Sequence, residues 1–167
     1  MLQPVVRRTW APRGQTPVLA QWDRRDRLSV ISAISLSPRR WHLGLYWQIH
    51  RYNIRGEQVV PFLRRLRRHL GRRIILILDR WSVHRAVVLR RFIERHHASL
   101  EIEWLPRYAP DLNPVEQVWN HAKYSDLPNV APADLDMLDP LVSASLARTR
   151  DQQTLLRAFF RLAQLRL

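Results

Sequence analysis

The sequence predicts a mixed α/β fold, a small mixed sheet flanked by helices, and three observations carry that prediction. Residues 28–36 and 43–50 alternate as paired strands do, residues 57–70 repeat apolar side chains at helical spacing, and Ile74-Ile75-Leu76-Ile77-Leu78 is an unbroken aliphatic run. An antiparallel hairpin, a crossover helix and two shorter strands separated by a further helix are the parts of one mixed sheet.

Each element has a local cause. Residues 1–21 contain Pro4, Pro12, Gly14 and Pro17 and read as an irregular lead-in. In the first strand Val30 and Ile34 share a face with Ser32 between them; in the second, Leu43, Leu45 and Trp47 alternate with Gly44, Tyr46 and Gln48. Pro38-Arg39-Arg40 turns the chain between the two. Over 57–70, Val59, Phe62, Leu63, Leu66 and Leu70 mark one helix face, and Gly71 is a stop signal. Arg64, Arg65, Arg67 and Arg68 take the opposite positions, as a solvated face or one that contacts DNA. The aliphatic run 74–78 has the pattern of a strand buried on both faces. Ser82 is placed to cap a helix over 82–97 that buries Ala86, Leu89 and Ile93, and a short strand over 101–104 follows.

The stretch 105–114 holds three prolines, which make it a stiff connector suited to positioning chemistry. Asn113 as N-cap and Pro114 as first helical residue then open a helix with Val115, Val118, Trp119 and Ala122 as its apolar stripe. Residues 125–140, with Pro128, Pro132 and Pro140, read as loop or short turns, and 151–165 as a last helix burying Leu155, Phe159 and Leu162. Residues 1–124 are expected to form the core of the fold and 125–167 a loop and helical extension of the same domain.

At 167 residues and 46% apolar composition the chain has the length and the material for one domain core. A formal charge of +14 and a pI near 11.6 point to a polyanionic partner, with nucleic acid the leading candidate. Lys123 is the one lysine, so the charge is carried by arginine, whose planar fork suits phosphate. Cysteine is absent, which excludes disulfides and thiolate metal sites and leaves oxygen or imidazole as metal donors. No apolar run approaches the roughly 20 residues needed to cross a bilayer, and no apolar signal core opens the chain, so a soluble cytoplasmic protein without membrane contact is expected.

Two carboxylates stand where chemistry is easily built. Asp79 follows the aliphatic strand, a rigid platform with a water-accessible tip, although an acid there also serves to start the next helix. Glu116 lies 37 positions later in Leu112-Asn113-Pro114-Val115-Glu116, at the third helical position, where an Asn-x-x-Glu capping box is the structural alternative to a metal role. His84 is suited to positioning a ligand or touching phosphate, or else to being an exposed polar residue. Arg107 and Tyr108 either contact DNA or brace the loop.

Asp79 followed by Trp81-Ser82-Val83-His84, and the block running from Trp104-Leu105-Pro106-Arg107-Tyr108-Ala109-Pro110 through Asn113-Pro114-Val115-Glu116 to Trp119, resemble the second half of the catalytic domain of IS630-type transposases. These belong to the IS630/Tc1/mariner superfamily of DDE enzymes. Arg8-Thr9-Trp10-Ala11-Pro12-Arg13-Gly14-Gln15-Thr16-Pro17 looks like the segment that this family places shortly after its first catalytic aspartate, so the resemblance covers nearly the whole chain. It implies an RNase H-like fold in which three carboxylates hold two Mg²⁺ or Mn²⁺ ions about 4 Å apart, with Asp79 as the second carboxylate and Glu116 the third. It also implies nucleoid-associated DNA partners, transposon ends and target, and a second copy or full-length transposase as protein partner.

Three departures stand out. The family's first aspartate sits on a strand upstream of the segment matching residues 2–10, so the first strand and its carboxylate are expected to precede Met1. Asp23 and Asp26 sit in a polar turn and are not expected to substitute. The N-terminal helix-turn-helix that the family uses on transposon ends is also absent, as in a truncated product or the downstream frame of a split element. Trp81 replaces the small polar residue expected near its position.

Overall fold

Two strands that bury both faces form the middle of the molecule. β1 (Ser29–Leu36) pairs antiparallel with β2 (Leu43–His50) in the register Ser29 with His50 through Leu36 with Leu43. Residues 7–18, 27–71 and 73–165 are described by this structure, a computed structural model. The alternation read from the sequence sorts the hairpin between two apolar clusters. Val30, Ile34, Leu43, Leu45, Trp47 and Ile49 face one, while Ile31, Ala33 and Tyr46 face the other.

The second cluster is closed by α1 (Gly56–Leu70), whose Val59, Val60, Phe62, Leu63 and Leu66 are buried. Gln58 turns back to accept the Arg55 N–H at 2.9 Å, and Gly71 ends the helix in the left-handed region (φ 60°), where glycine has no Cβ penalty. The arginine face of α1 is partly engaged. Arg65 donates to Gln48 and Arg67 to Ser99, while Arg64 and Arg68 are exposed.

β3 (Ile74–Leu78) pairs parallel with β4 (Leu100–Trp104), and α2 (Val87–Arg95) makes the crossover, burying Leu89 and Phe92. Three expectations are corrected in this half. The strands form two separate two-stranded sheets among the described residues, not one mixed sheet. β3 is covered on one face only: Leu78 is buried, while Ile75 and Ile77 are 63% and 58% exposed. The helix expected over 82–97 is broken. Ser82–Arg85 is a 3-10 turn that Ser82 does not cap, Ala86 is extended (ψ 140°), and α2 starts only at Val87. The break lies at a close contact, since a Cβ on Gly56 would lie 2.5 Å from the Ala86 Cβ. The later start turns the helix so that Phe92, and not Ile93, is buried.

The first cluster is closed by α3 (Pro114–His121), α4 (Leu135–Asp151) and α5 (Gln153–Leu162). α3 passes into a π-helical turn over Ala122–Asp126. α4 replaces part of the loop expected over 125–140 and of the final helix expected from 151. Asp134 caps it by accepting the Met137 N–H at 2.8 Å, and Pro140 is tolerated inside. Val142, Ser145, Leu146 and Thr149 form its buried stripe; the two hydroxyls in that stripe mask it in the sequence. In α5, Leu156, Phe159 and Phe160 are buried; Leu155 is half-buried and Leu162 is exposed, contrary to expectation. Among the described residues no helix is long and apolar enough to cross a membrane.

Candidate active site

Asp79 leaves the carboxyl end of the parallel pair, the place where open α/β sheets present ligand groups. The ladder continues past β3, since the Leu105 N–H donates to the Leu78 carbonyl at 2.9 Å. Arg80 Nε donates to the Leu105 carbonyl at 3.1 Å, tying the proline loop to the strand end; nothing in the spacing of the sequence marks that role.

The Asp79 carboxylate is held from its own downstream turn. Its Oδ1 accepts the Trp81 N–H at 3.0 Å, and His84 Nδ1 lies 2.8 Å from the same oxygen and 3.2 Å from the Asp79 carbonyl. Asp79 therefore does not cap a helix; it closes a tight side-chain turn, with the 3-10 turn beginning at Ser82. The His84 side chain is 18% exposed, and Trp81 stands edge-on to its ring at 5.5 Å between centroids. His84 thus fixes Asp79. The hydrogen bond from His84, then that from the Trp81 amide, pulls the Asp79 pKa below its ordinary value against the opposing effect of burial.

Glu116 arrives from the other side on α3. The Asn113 side chain accepts the Val115 N–H at 3.1 Å, and Pro114 supplies the first helical residue without wasting a donor. The Asn113 N–H donates to the Pro110 carbonyl at 2.9 Å, so the capping box that offered Glu116 a structural role is not formed. Burial pushes the Glu116 pKa up, and the negative charge of Asp79 pushes it further in the same direction. The two carboxylates, far apart in the chain, are therefore within electrostatic reach of each other.

Of the remaining expected residues, Arg107 and Tyr108 are exposed on the proline loop. Tyr108 is fully exposed and sits at φ 57°, a left-handed conformation unusual for a residue with a large side chain. Neither reaches Asp79 through a hydrogen bond. Asp23 and Asp26 lie outside the described residues. Asp79 and Glu116 supply the hard oxygen donors that Mg²⁺ or Mn²⁺ takes. Among the described residues, no group of three or more acidic, histidine or cysteine side chains gathers to complete such a site.

The repulsion at Glu116 has a stability cost. A carboxyl whose folded pKa is raised favours the folded state only below its unfolded pKa, and that advantage is lost as pH rises through the folded value. Once ionised, above its folded value, the half-buried Glu116 therefore works against folding, as function-bearing groups often do. Glu116→Gln is expected to raise stability by up to about 1 kcal/mol at pH 7 and to leave it unchanged near pH 3, as measured by urea denaturation at the two pH values.

The fold has counterparts among known proteins. Residues 1–139 match the family described as DDE superfamily endonuclease. No curated protein matches the chain. Among solved structures, the Mos1 mariner paired-end complex with Mn is similar at a TM-score of 0.64 and 16% identity, over 98% of this chain and 49% of that one. The Mos1 strand transfer complex gives 0.62 and 17% over 98% and 48%, and the paired-end complex with Mg gives 0.63 and 14% over 98% and 50%. This chain thus spans about half the length of those chains, and at such identities the likeness is one of fold. On the match over residues 1–139, the chain belongs to the DDE superfamily endonuclease family.

Proposed function

We propose that this chain is the greater part of the catalytic domain of an IS630-type transposase, cleaving and joining DNA strands once a third carboxylate completes its site. The observation that carries the reading is the convergence of Asp79 and Glu116, two acids brought together from β3 and α3 so that one raises the pKa of the other. Such a pair is costly without a cation and suited to holding one. Asp79 and Glu116 would be the metal-holding residues. Bound divalent ions supply the Lewis acidity that activates an attacking oxygen and stabilises the leaving one. His84 and the Trp81 amide keep the Asp79 carboxylate in one orientation, and the Trp81 ring stands edge-on to His84. The basic chain binds the phosphodiester backbone. The Mos1 relatives, solved as strand transfer and paired-end complexes with Mn or Mg, support DNA and a divalent ion as ligands.

The third carboxylate belongs, in this reading, to a further strand upstream of the residues matched here. Among the described residues each of the four strands pairs on one side only, which leaves edges where a further strand could join the two sheets. Without it, the isolated chain is inactive. A form extended upstream by such an aspartate-bearing strand should cleave transposon-end DNA with Mg²⁺; absence of cleavage there would overturn the reading.

A second reading is favoured by the lack of a three-group metal cluster among the described residues. It makes the chain a non-catalytic remnant that binds DNA or full-length transposase, possessing the family's fold without its reaction. The same extended form separates the two readings, since a remnant gains no cleavage from the added strand.

A further inference from the structure

The outer edge of β2, opposite its pairing with β1, forms an open groove between α1 and the α4–α5 junction. Its floor is Tyr46 and Trp47, and its lining shares no residue with the Asp79 and Glu116 site. Arg65 stands on the α1 side, held by Gln48 at 2.7 Å, a neutral acceptor that leaves the full positive charge in place. Arg150 stands on the other side, its guanidinium 5.6 Å from the centre of the Trp47 ring. Asp151 pairs with Arg150 and is the acidic residue of the lining; His42 and His69 add imidazoles.

At one end the groove meets the turn between β1 and β2. Arg157 donates to the carbonyls of Arg40 and Trp41, and Ser37 Oγ accepts the N–H groups of Trp41 and His42. The turn is thus braced from inside the fold while Trp41 remains 77% exposed, with Arg39 against its ring at 6.0 Å. A rigid, exposed Trp beside two arginines is costly as mere surface and suits a contact.

We propose that this edge is a second DNA surface, which takes the phosphate backbone of duplex DNA outside the segment held at the carboxylates. The proposal rests on the DNA-acting reading above. Within β2 the five strand steps from Leu43 to Gln48 span about 17 Å, or about five base-pair steps of a duplex, so the turn end of the strand and Arg65 reach phosphates about half a helical turn apart. Charge selects the occupant. A second copy adding a strand to this edge would bring a like charge of +14 against Arg65 and Arg150, whereas a polyanion is attracted. Gln153 also closes one end of the edge to strand addition, accepting the Leu43 N–H at 2.9 Å and donating to its carbonyl at 2.8 Å.

The test is fluorescence anisotropy of the full chain on a labelled duplex of about 20 base pairs without transposon sequence, titrated between about 50 and 200 mM salt. Arg65→Gln with Arg150→Gln is expected to weaken binding about tenfold or more at the low salt and to reduce the slope of log affinity against log salt by about two. The charge-matched pair Arg91→Gln with Arg95→Gln on α2 should change affinity by less than about twofold. Arg65→Lys with Arg150→Lys retains the charge and should restore most of the binding, which separates lost contacts from lost folding. Binding that the first pair leaves unchanged, or that the α2 pair weakens equally, overturns this surface alone. An unmodified chain that binds no duplex overturns the DNA-acting reading with it. A shift in sedimentation caused by the first pair would assign the edge to a second copy instead.

Discussion

Asp79→Ala is expected to lower Mg²⁺-dependent cleavage of transposon-end DNA by at least about a thousandfold, roughly 4 kcal/mol of barrier, in the upstream-extended form of the protein. The size follows from where Asp79 sits. It is the oxygen donor that the fold holds most firmly, with both the Trp81 amide and His84 on one carboxylate oxygen at the end of a paired strand. Alanine removes a donor and leaves His84 without its partner. Glu116→Ala should cost a similar amount, and the two together little more than either, because residues that act as a unit do not contribute additively. Gel analysis of end-labelled DNA reads the effect. Cleavage that survives Asp79→Ala within about tenfold would remove Asp79 from the chemistry.

The largest effect on stability is expected at Leu146. It is fully buried in the cluster joining the hairpin to α3, α4 and α5, so Leu146→Ala removes its transfer free energy and leaves a cavity. The expected loss is about 2–5 kcal/mol by urea denaturation, a large share of a domain's usual margin. Leu141, on the same helix, is 39% exposed, and Leu141→Ala should cost less than about 1 kcal/mol. Equal losses at the two positions would mean that α4 does not pack as described.

The contrast at α4 shows what the sequence displays and what it hides. The hairpin, α1, β3 and β4 were legible because their apolar residues repeat at the period of the element they form, and α3 because Asn113-Pro114 is a start signal with a mechanism. α4 was not legible. Pro128, Pro132 and Pro140 read as breakers, yet only Pro140 falls within the helix, and the helix buries Ser145 and Thr149 where a periodic pattern would call for aliphatic residues. The break at Ala86 lies against Gly56, some thirty positions away in the chain, a contact that no local pattern contains.

The β3 run read as buried on both faces because hydrophobicity alone cannot tell whether a neighbour is present to cover a face. Its open side, with Ile75 and Ile77, is a fact about the assembled fold. At the site, the positions of Asp79 and Glu116 could be picked out in the chain, but their mutual influence and the hold of His84 on Asp79 required the fold. The capping alternative for Glu116 was equally legible, and only the hydrogen bond from the Asn113 N–H to Pro110 rules it out.

Mn²⁺ binding followed by nuclear magnetic resonance on the isolated chain tests the central claim most directly, because paramagnetic broadening reports proximity to the ion without requiring turnover. Sub-stoichiometric Mn²⁺ should selectively broaden the signals of Asp79, His84 and Glu116, and both Asp79→Ala and Glu116→Ala should abolish that pattern. Broadening centred elsewhere, or unchanged in the Asp79→Ala protein, would contradict a metal site built on these two carboxylates.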